Sequence, residues 1–256
     1  MSYIFDSHAH YDADAFDEDR DQLLAALPEQ KVCGVIQCAT DPDSIVRSLA
    51  LAEKYPYIRV AVGIHPEAVT QATPDWMDVA RQAAANPHVC AIGEIGLDYY
   101  WEDNAPREVQ LDWCRKQIEL ALELDLPVIL HDREAHEDTL NLIREYRPRG
   151  VVHCFSGSAE MARQVTDLGM YIGLGGAATF KNARKPVEVA ESLPLERLLL
   201  ETDAPYMAPV PLRGKRCDSA MIAHTADRIA EIRGITAEEL LDATRENANR
   251  LFGLSF

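Results

Sequence analysis

"VCAIGEIGLD", Val89 to Asp98, is apolar or small at every position except Glu94 in its middle and Asp98 at its end. A strand half-exposed on a sheet alternates apolar and polar letters, whereas a strand buried on both faces, as in a parallel sheet, does not. Such a strand leaves Glu94 without water. An unpaired buried carboxylate is costly, so Glu94 must meet a metal ion or a buried basic side chain.

Seven more runs of this kind obey the same rule: "YIFDSH" from Tyr3, "VCGVIQCAT" from Val32, "IRVAVGIHP" from Ile58, "PVILHD" from Pro127, "GVVHCFSG" from Gly150, "MYIGLGG" from Met170 and "RLLLETDAP" from Arg197. Amphipathic stretches lie between them. "DPDSIVRSLALAEKYP" offers Asp41 as a helix cap with Pro42 at the first helical position, and "TPDWMDVARQAAANP" offers Thr73 and Pro74 in the same roles. "REVQLDWCRKQIELALELD" sets Cys114, Ile118, Ala121 and Leu122 on one stripe. "SAEMARQVTDLG" opens at Ser158 and stops at Gly169, and helical stretches from Ser219 and from Thr236 finish the chain. Eight strand–helix units in 256 residues predict the α/β class and a (β/α)8 TIM barrel. With no Ser/Gly linker and no shift of composition, residues 1–256 read as a single domain. "GLGGAA" from Gly173 is a loose dinucleotide fingerprint, but Pro186 and Pro194 interrupt the segment after it, so it reads as a barrel turn.

Forty-two acidic residues stand against 25 basic ones, a formal charge of -17. A protein that grips duplex nucleic acid along its length needs a basic surface, so that class is excluded. Any polyanion must be handled in a local pocket, made positive by bound metal. No apolar run is long enough to span a membrane. The first twenty residues hold Asp6, Asp12, Asp14 and Asp17 and no signal-peptide pattern, and none of the six cysteines forms a CxxC pair. A cytoplasmic location and a monomer are the expectations.

A TIM barrel carries its chemistry at the C-terminal ends of its strands. Those ends hold His8 and His10, His65, Glu94 and Asp98, His131, His153, and Glu201 with Asp203, so five of the chain's eight histidines fall there. His8 and His10 are two apart, which on a strand turns both rings to one face as a metal pincer. Four imidazoles with Glu94 and Asp203 are too many for one tetrahedral zinc. They suit two divalent ions roughly 3.5–4 Å apart, the clamp used to hydrolyse phosphate esters. His8, His10 and Asp203 would hold one ion, His131 and His153 the other, with Glu94 bridging; Asp203 would also accept the proton of the attacking water. Histidine favours zinc, manganese or iron, and the carboxylates allow magnesium. The bland alternatives are core histidines bonded to backbone carbonyls and a simple turn at Asp203. Glu201 either orients a ligand imidazole or is structural. Tyr99, Tyr100 and Trp101 either stack on a base or pack over the barrel mouth.

Seven strings resemble, in order and over nearly the whole chain, the TatD family of metal-dependent deoxyribonucleases: "DSHAH" at Asp6, "GIHP" at Gly63, "GEIGLDYY" at Gly93, "HDREA" at His131, "VHCFSG" at Val152, "ETDAPYMAPVPLRGKR" at Glu201 and "ENANRLF" at Glu246. The resemblance implies hydrolysis of DNA phosphodiesters, trimming single strands 3′ to 5′ from an end with divalent metal ions and only local contact to the nucleic acid. It gives the same ligand set, and it implies that His65, Arg133, Arg213, Lys215 and Arg216 face the substrate phosphate. Arg133 could instead pair with Glu134 or Glu137. "RGKRCDSA" departs from the family's usual continuation without touching a ligand, which bears on substrate range. The rivals are a deacylase acting on aminoacyl-tRNA, a small-molecule amidohydrolase on the same barrel, and a degenerate barrel that only binds. Glu94 at the bridge, where cyclic-amide hydrolases often use a carboxylated lysine, leans toward the nuclease.

Overall fold

The apolar runs become parallel strands in chain order, each hydrogen-bonded to the next: β1 (Ile4–Ala9), β2 (Val32–Cys38), β3 (Ile58–Val62), β4 (Val89–Asp98), β5 (Val128–Arg133), β6 (Gly150–Val152), β7 (Tyr171–Leu174) and β8 (Leu198–Leu200). This computed structural model describes residues 2–256. The barrel closes just past the end of β8. There Ala204 bridges Ala9 in parallel, and the His10 N–H donates to the Ala204 carbonyl at 2.7 Å. Helices α1 (Arg20–Ala26), α2 (Pro42–Lys54), α3 (Trp76–Ala84), α4 (Arg107–Glu123), α5 (His136–Tyr146), α6 (Ala159–Asp167), α7 (Arg184–Ser192), α8 (Ile222–Arg233) and α9 (Ala237–Phe252) alternate with the strands and complete the chain. The TIM barrel expected from the sequence is the fold observed.

Side-chain caps open three of the helices. Asp41 accepts the Ser44 N–H at 2.8 Å ahead of Pro42, and Ser158 accepts the Met161 N–H at 3.2 Å. Thr236 and Glu239 form a reciprocal capping box at the start of α9. Replacing Thr236 by alanine is expected to cost about 1 kcal/mol. A lower urea midpoint at unchanged slope would show it.

Three local expectations are corrected. Thr73 does not cap α3; its hydroxyl bonds Asp75 at 2.5 Å and the helix starts at Trp76. Pro186 does not interrupt α7, because it lies in the first turn, where its missing N–H has no helical partner to lose. Leu122 is 47% exposed, so the buried stripe of α4 is carried by Cys114, Ile118 and Ala121.

Inside the barrel, Phe5, Ile36, Cys38, Ala61, Ala91, Ile129, Val151, Tyr171 and Leu199 form one buried cluster. Leu251 and Phe252 of α9 join it, with the Phe252 ring stacked on Phe5 at 6.5 Å, so α9 seals the N-terminal end. Side chains along a strand face inward every second residue. The next inward positions are therefore His131 above Ile129, His153 above Val151, Gly173 above Tyr171 and Glu201 above Leu199. On β1 the register to β2 shifts between Asp6 and Ala9, and on β4 the register to β5 shifts between Ile92 and Ile95. Such irregularities re-aim side chains. They fall where His8 and Glu94 must turn into the mouth.

Candidate metal centre

Glu94 is the hub of the C-terminal mouth. Its Oε2 lies 3.2 Å from His8 Nε2 and 3.2 Å from His10 Nε2. Its Oε1 lies 2.8 Å from His131 Nδ1, 2.6 Å from His153 Nε2 and 3.4 Å from His65 Nε2. One carboxylate thus presents a separate oxygen to each of two imidazole groups. Asp203 adds its Oδ1 to the first group, 3.7 Å from His8 Nε2 and 3.5 Å from His10 Nε2. Its φ of 61° is left-handed, a conformation that Asp tolerates better than most residues.

Neighbouring groups fix these ligand candidates in place. The buried Asp6 accepts the N–H of His8 at 3.2 Å, the N–H and hydroxyl of Thr202 at 3.0 and 2.6 Å, and the Ser219 hydroxyl at 2.7 Å. It therefore ties the end of β1, with His8, to the segment that carries Asp203. Burial pushes the Asp6 carboxyl up to about 6, and those donors hold it from going higher. Cys38 supports both histidines: its carbonyl meets His10 Nδ1 at 2.9 Å and its Sγ lies 3.4 Å from His8 Nδ1. Glu201 fills the space left by the missing side chain of Gly173, where a Cβ would lie 2.2 Å from its Oε2. The Cys154 N–H donates to Glu201 Oε1, which stands 3.8 Å from His153 Nδ1, and burial pushes Glu201 up to about 8.

The donor set fits divalent cations. A carbonyl only accepts, so His10 Nδ1 carries the proton that meets Cys38, and the His10 Nε2 lone pair faces Glu94, Asp203 and His8 Nε2, 3.0 Å away. His131 Nε2 likewise donates to Asp98 Oδ2 at 3.2 Å, which leaves its Nδ1 lone pair toward Glu94. Lone pairs aimed at carboxylates need a cation or a proton between them. In the protein's own field protons serve. Burial lowers His131 but the carboxylates of Asp98 and Glu94 outweigh it, raising the ring to about 10, and His10 rises well above its usual value against its burial because of Asp203 and Glu94. Burial and the neighbouring His153 push His8 down to about 4. Against its own burial, Glu94 is held well below the usual carboxylate range by His153, His8 and His65. The same carboxylates would hold divalent cations in place of those protons.

All six residues read from the strand ends as metal ligands therefore meet in one cluster. The sets of donors within 4.8 Å of one another are His8, His10 and Asp203; His8, Glu94 and His153; and His65, Glu94 and His131. His65 thus joins the donors, where the sequence had placed it against substrate. Arg133 lies not against Glu134 or Glu137 but over the Tyr100 ring, 3.9 Å from its centroid. Arg213 stacks on Phe180 at 4.3 Å, and Lys215 is exposed on the same loop. The Arg216 guanidinium is paired with Asp19 at 2.6 Å and with the Ala15 carbonyl. Asp98, Asp6 and Cys38 support the cluster and had no assigned role. Asp98 had a signal in its place at a strand end and Asp6 in opening the string "DSHAH"; Cys38 had none.

Comparison with known proteins places the chain in a family. The profile of the TatD related DNase family matches residues 5–253. The chain is 39% identical over 255 residues to YabD of Bacillus subtilis, described as an uncharacterized metal-dependent hydrolase, covering 98% of this chain and all of that one. It is 34% identical over 263 residues to the 3′-5′ ssDNA/RNA exonuclease TatD of Salmonella typhimurium, covering 99% and 100%. The crystal structure of the TatD homologue YjjV from Escherichia coli superposes with a TM-score of 0.92 at 34% identity, covering 98% of each chain. Fold, donor cluster and sequence converge: the chain belongs to the TatD family of metal-dependent hydrolases.

Proposed function

We propose that the protein uses two divalent metal ions to hydrolyse phosphodiester bonds of nucleic acid, removing nucleotides from the 3′ end of single strands. The observation that carries this reading is the division of the Glu94 carboxylate, one oxygen toward His8 and His10 and the other toward His131, His153 and His65. His8, His10 and Asp203 would hold one ion and His131 and His153 the second, with His65 in reach and Glu94 offering an oxygen to each. Bound ions of this kind supply Lewis acidity and a nucleophilic water at neutral pH. The rest falls to the chain. Asp98 and the Cys38 carbonyl keep the lone pairs of His131 and His10 turned inward. Asp203, one-fifth exposed at its side chain, accepts the proton of the attacking water at the open side of the cluster. The name of the Salmonella relative supports single-stranded nucleic acid as substrate. End-trimming needs a grip on only a few nucleotides, which reconciles nuclease action with a net charge of -17.

The test is a substrate panel on freshly purified protein: end-labelled single-stranded DNA and RNA, aminoacyl-tRNA, and p-nitrophenyl esters, each with and without EDTA. A ladder shortening from the 3′ end, abolished by EDTA, with two metal ions per chain by elemental analysis, is expected. Faster turnover of aminoacyl-tRNA or of the esters would make the protein a deacylase or amidohydrolase on the same barrel. Lys215→Ala is expected to raise KM for DNA about fivefold and leave kcat within about twofold, because an exposed lysine steers phosphate without entering the chemistry. A fall in kcat at constant KM would remove that role.

A further inference from the structure

The mouth carries two half-exposed aromatic rings that the hydrolytic cluster does not use. Of the three consecutive aromatics after β4, Tyr99 is built into the fold: its hydroxyl donates to Asp138 of α5 at 2.6 Å and Arg107 covers its ring. Tyr100 and Trp101 are each 50% exposed. They meet edge to face, centroids 4.8 Å apart, and the Arg133 guanidinium lies 3.9 Å from the Tyr100 centroid and 5.1 Å from that of Trp101. The Tyr100 N–H donates to Asp98 Oδ1 at 2.9 Å, and the Asn104 side chain donates to the Asp98 carbonyl at 3.1 Å, so this loop is held by the residue that orients His131. Arg133 stands two residues past His131 on β5. The rings pack on each other and on Arg133, and the loop that carries them is anchored at Asp98, which bonds His131.

We propose that Tyr100, Trp101 and Arg133 form a stacking platform for an unpaired nucleobase next to the scissile phosphodiester. The inference rests on the phosphodiesterase reading above. A chain of charge -17 cannot draw a polyanion through a basic groove, so affinity for a strand must come from contacts that do not depend on net charge. Base–aromatic stacking is such a contact; it accepts every base because every base has a π face, and a guanidinium against the rings strengthens it. Rings already ordered before binding lose little freedom when a base arrives. The platform selects single strands, since a base must leave its duplex partner to stack there.

The experiment uses the full-length protein, a thymidine hexanucleotide and a hexamer of the same sugar–phosphate backbone without bases. The chain has three tryptophans, and Trp113 is buried, so quenching of Trp101 by a stacked base is read in EDTA-treated protein, independently of hydrolysis. The hexanucleotide is expected to quench and the baseless hexamer is not, and Trp101→Phe should lose the signal. With metal present, Tyr100→Ala/Trp101→Ala should raise KM for the hexanucleotide about tenfold and KM for the baseless hexamer less than about twofold. Trp101→Phe, which keeps a ring, should stay within about threefold of wild type for the hexanucleotide. Equal losses on both hexamers, or cleavage of the hexanucleotide with no quenching and an unmoved KM, overturns the platform and leaves the hydrolase standing. Quenching without cleavage overturns the phosphodiesterase reading and keeps the platform. Neither binding nor cleavage overturns both.

Discussion

Glu94→Gln is expected to leave the barrel folded and to lower turnover of single-stranded DNA on the order of a thousandfold, ~4 kcal/mol of transition-state stabilisation. Glutamine has nearly the same shape as glutamate, so the core beneath the cluster does not change. What changes is the acceptor. Five imidazole nitrogens, on His8, His10, His65, His131 and His153, lie within 3.4 Å of the two carboxylate oxygens. An amide offers one neutral oxygen and turns an NH2 toward one of the two groups. It cannot serve both as an anion. Metal content should therefore fall below two ions per chain, read by elemental analysis, while far-ultraviolet circular dichroism stays at wild type. A variant that kept two ions and a tenth or more of the activity would show that Glu94 does not span the centre.

Gly96→Ala should be the most damaging small change in the barrel. Gly96 has φ +142°, and a Cβ there would lie 2.1 Å from the carbonyl oxygen of His131 and 2.8 Å from its nitrogen. Both are backbone atoms of the neighbouring strand, so β4 and β5 must separate. Strain and overpacking together should cost about 3 kcal/mol or more. Activity should fall further than stability explains, because the spacing of these strands sets the 2.8 Å approach of His131 to Glu94. Gly169→Ala is the control. It also has a positive φ, +95°, but nothing within 4 Å, so it should cost only about 1 kcal/mol and leave activity alone. Equal urea midpoints for the two variants would refute the steric account.

The barrel was legible because a parallel strand covered on both faces writes itself as an unbroken apolar run, and eight such runs have few other arrangements. The ligand candidates were legible for a related reason. A polar letter at the end of such a run has nowhere to go but the mouth, and period 2 turns His131, His153 and Glu201 inward above Ile129, Val151 and Leu199. What stayed hidden depends on distance in the chain. Arg216 looked available to a phosphate until Asp19, 197 residues away, took its guanidinium. His65 comes three residues after β3, and only the closed barrel brings its Nε2 within 3.4 Å of Glu94. Cys38 reads as one more apolar strand residue, yet it backs both His8 and His10. Tyr99, Tyr100 and Trp101 read alike in sequence, and only the Asp138 bond separates the anchored ring from the open pair.

Asp6 and Thr202, 196 residues apart, make the join between the first strand and the last at the very place where His8 and Asp203 stand together. Assembly of the centre and completion of the cylinder are consequently one event. A chain that stopped short of the eighth strand would keep Glu94, His131 and His153 but would lack Asp203 and the Thr202 bonds that tie down the strand bearing His8.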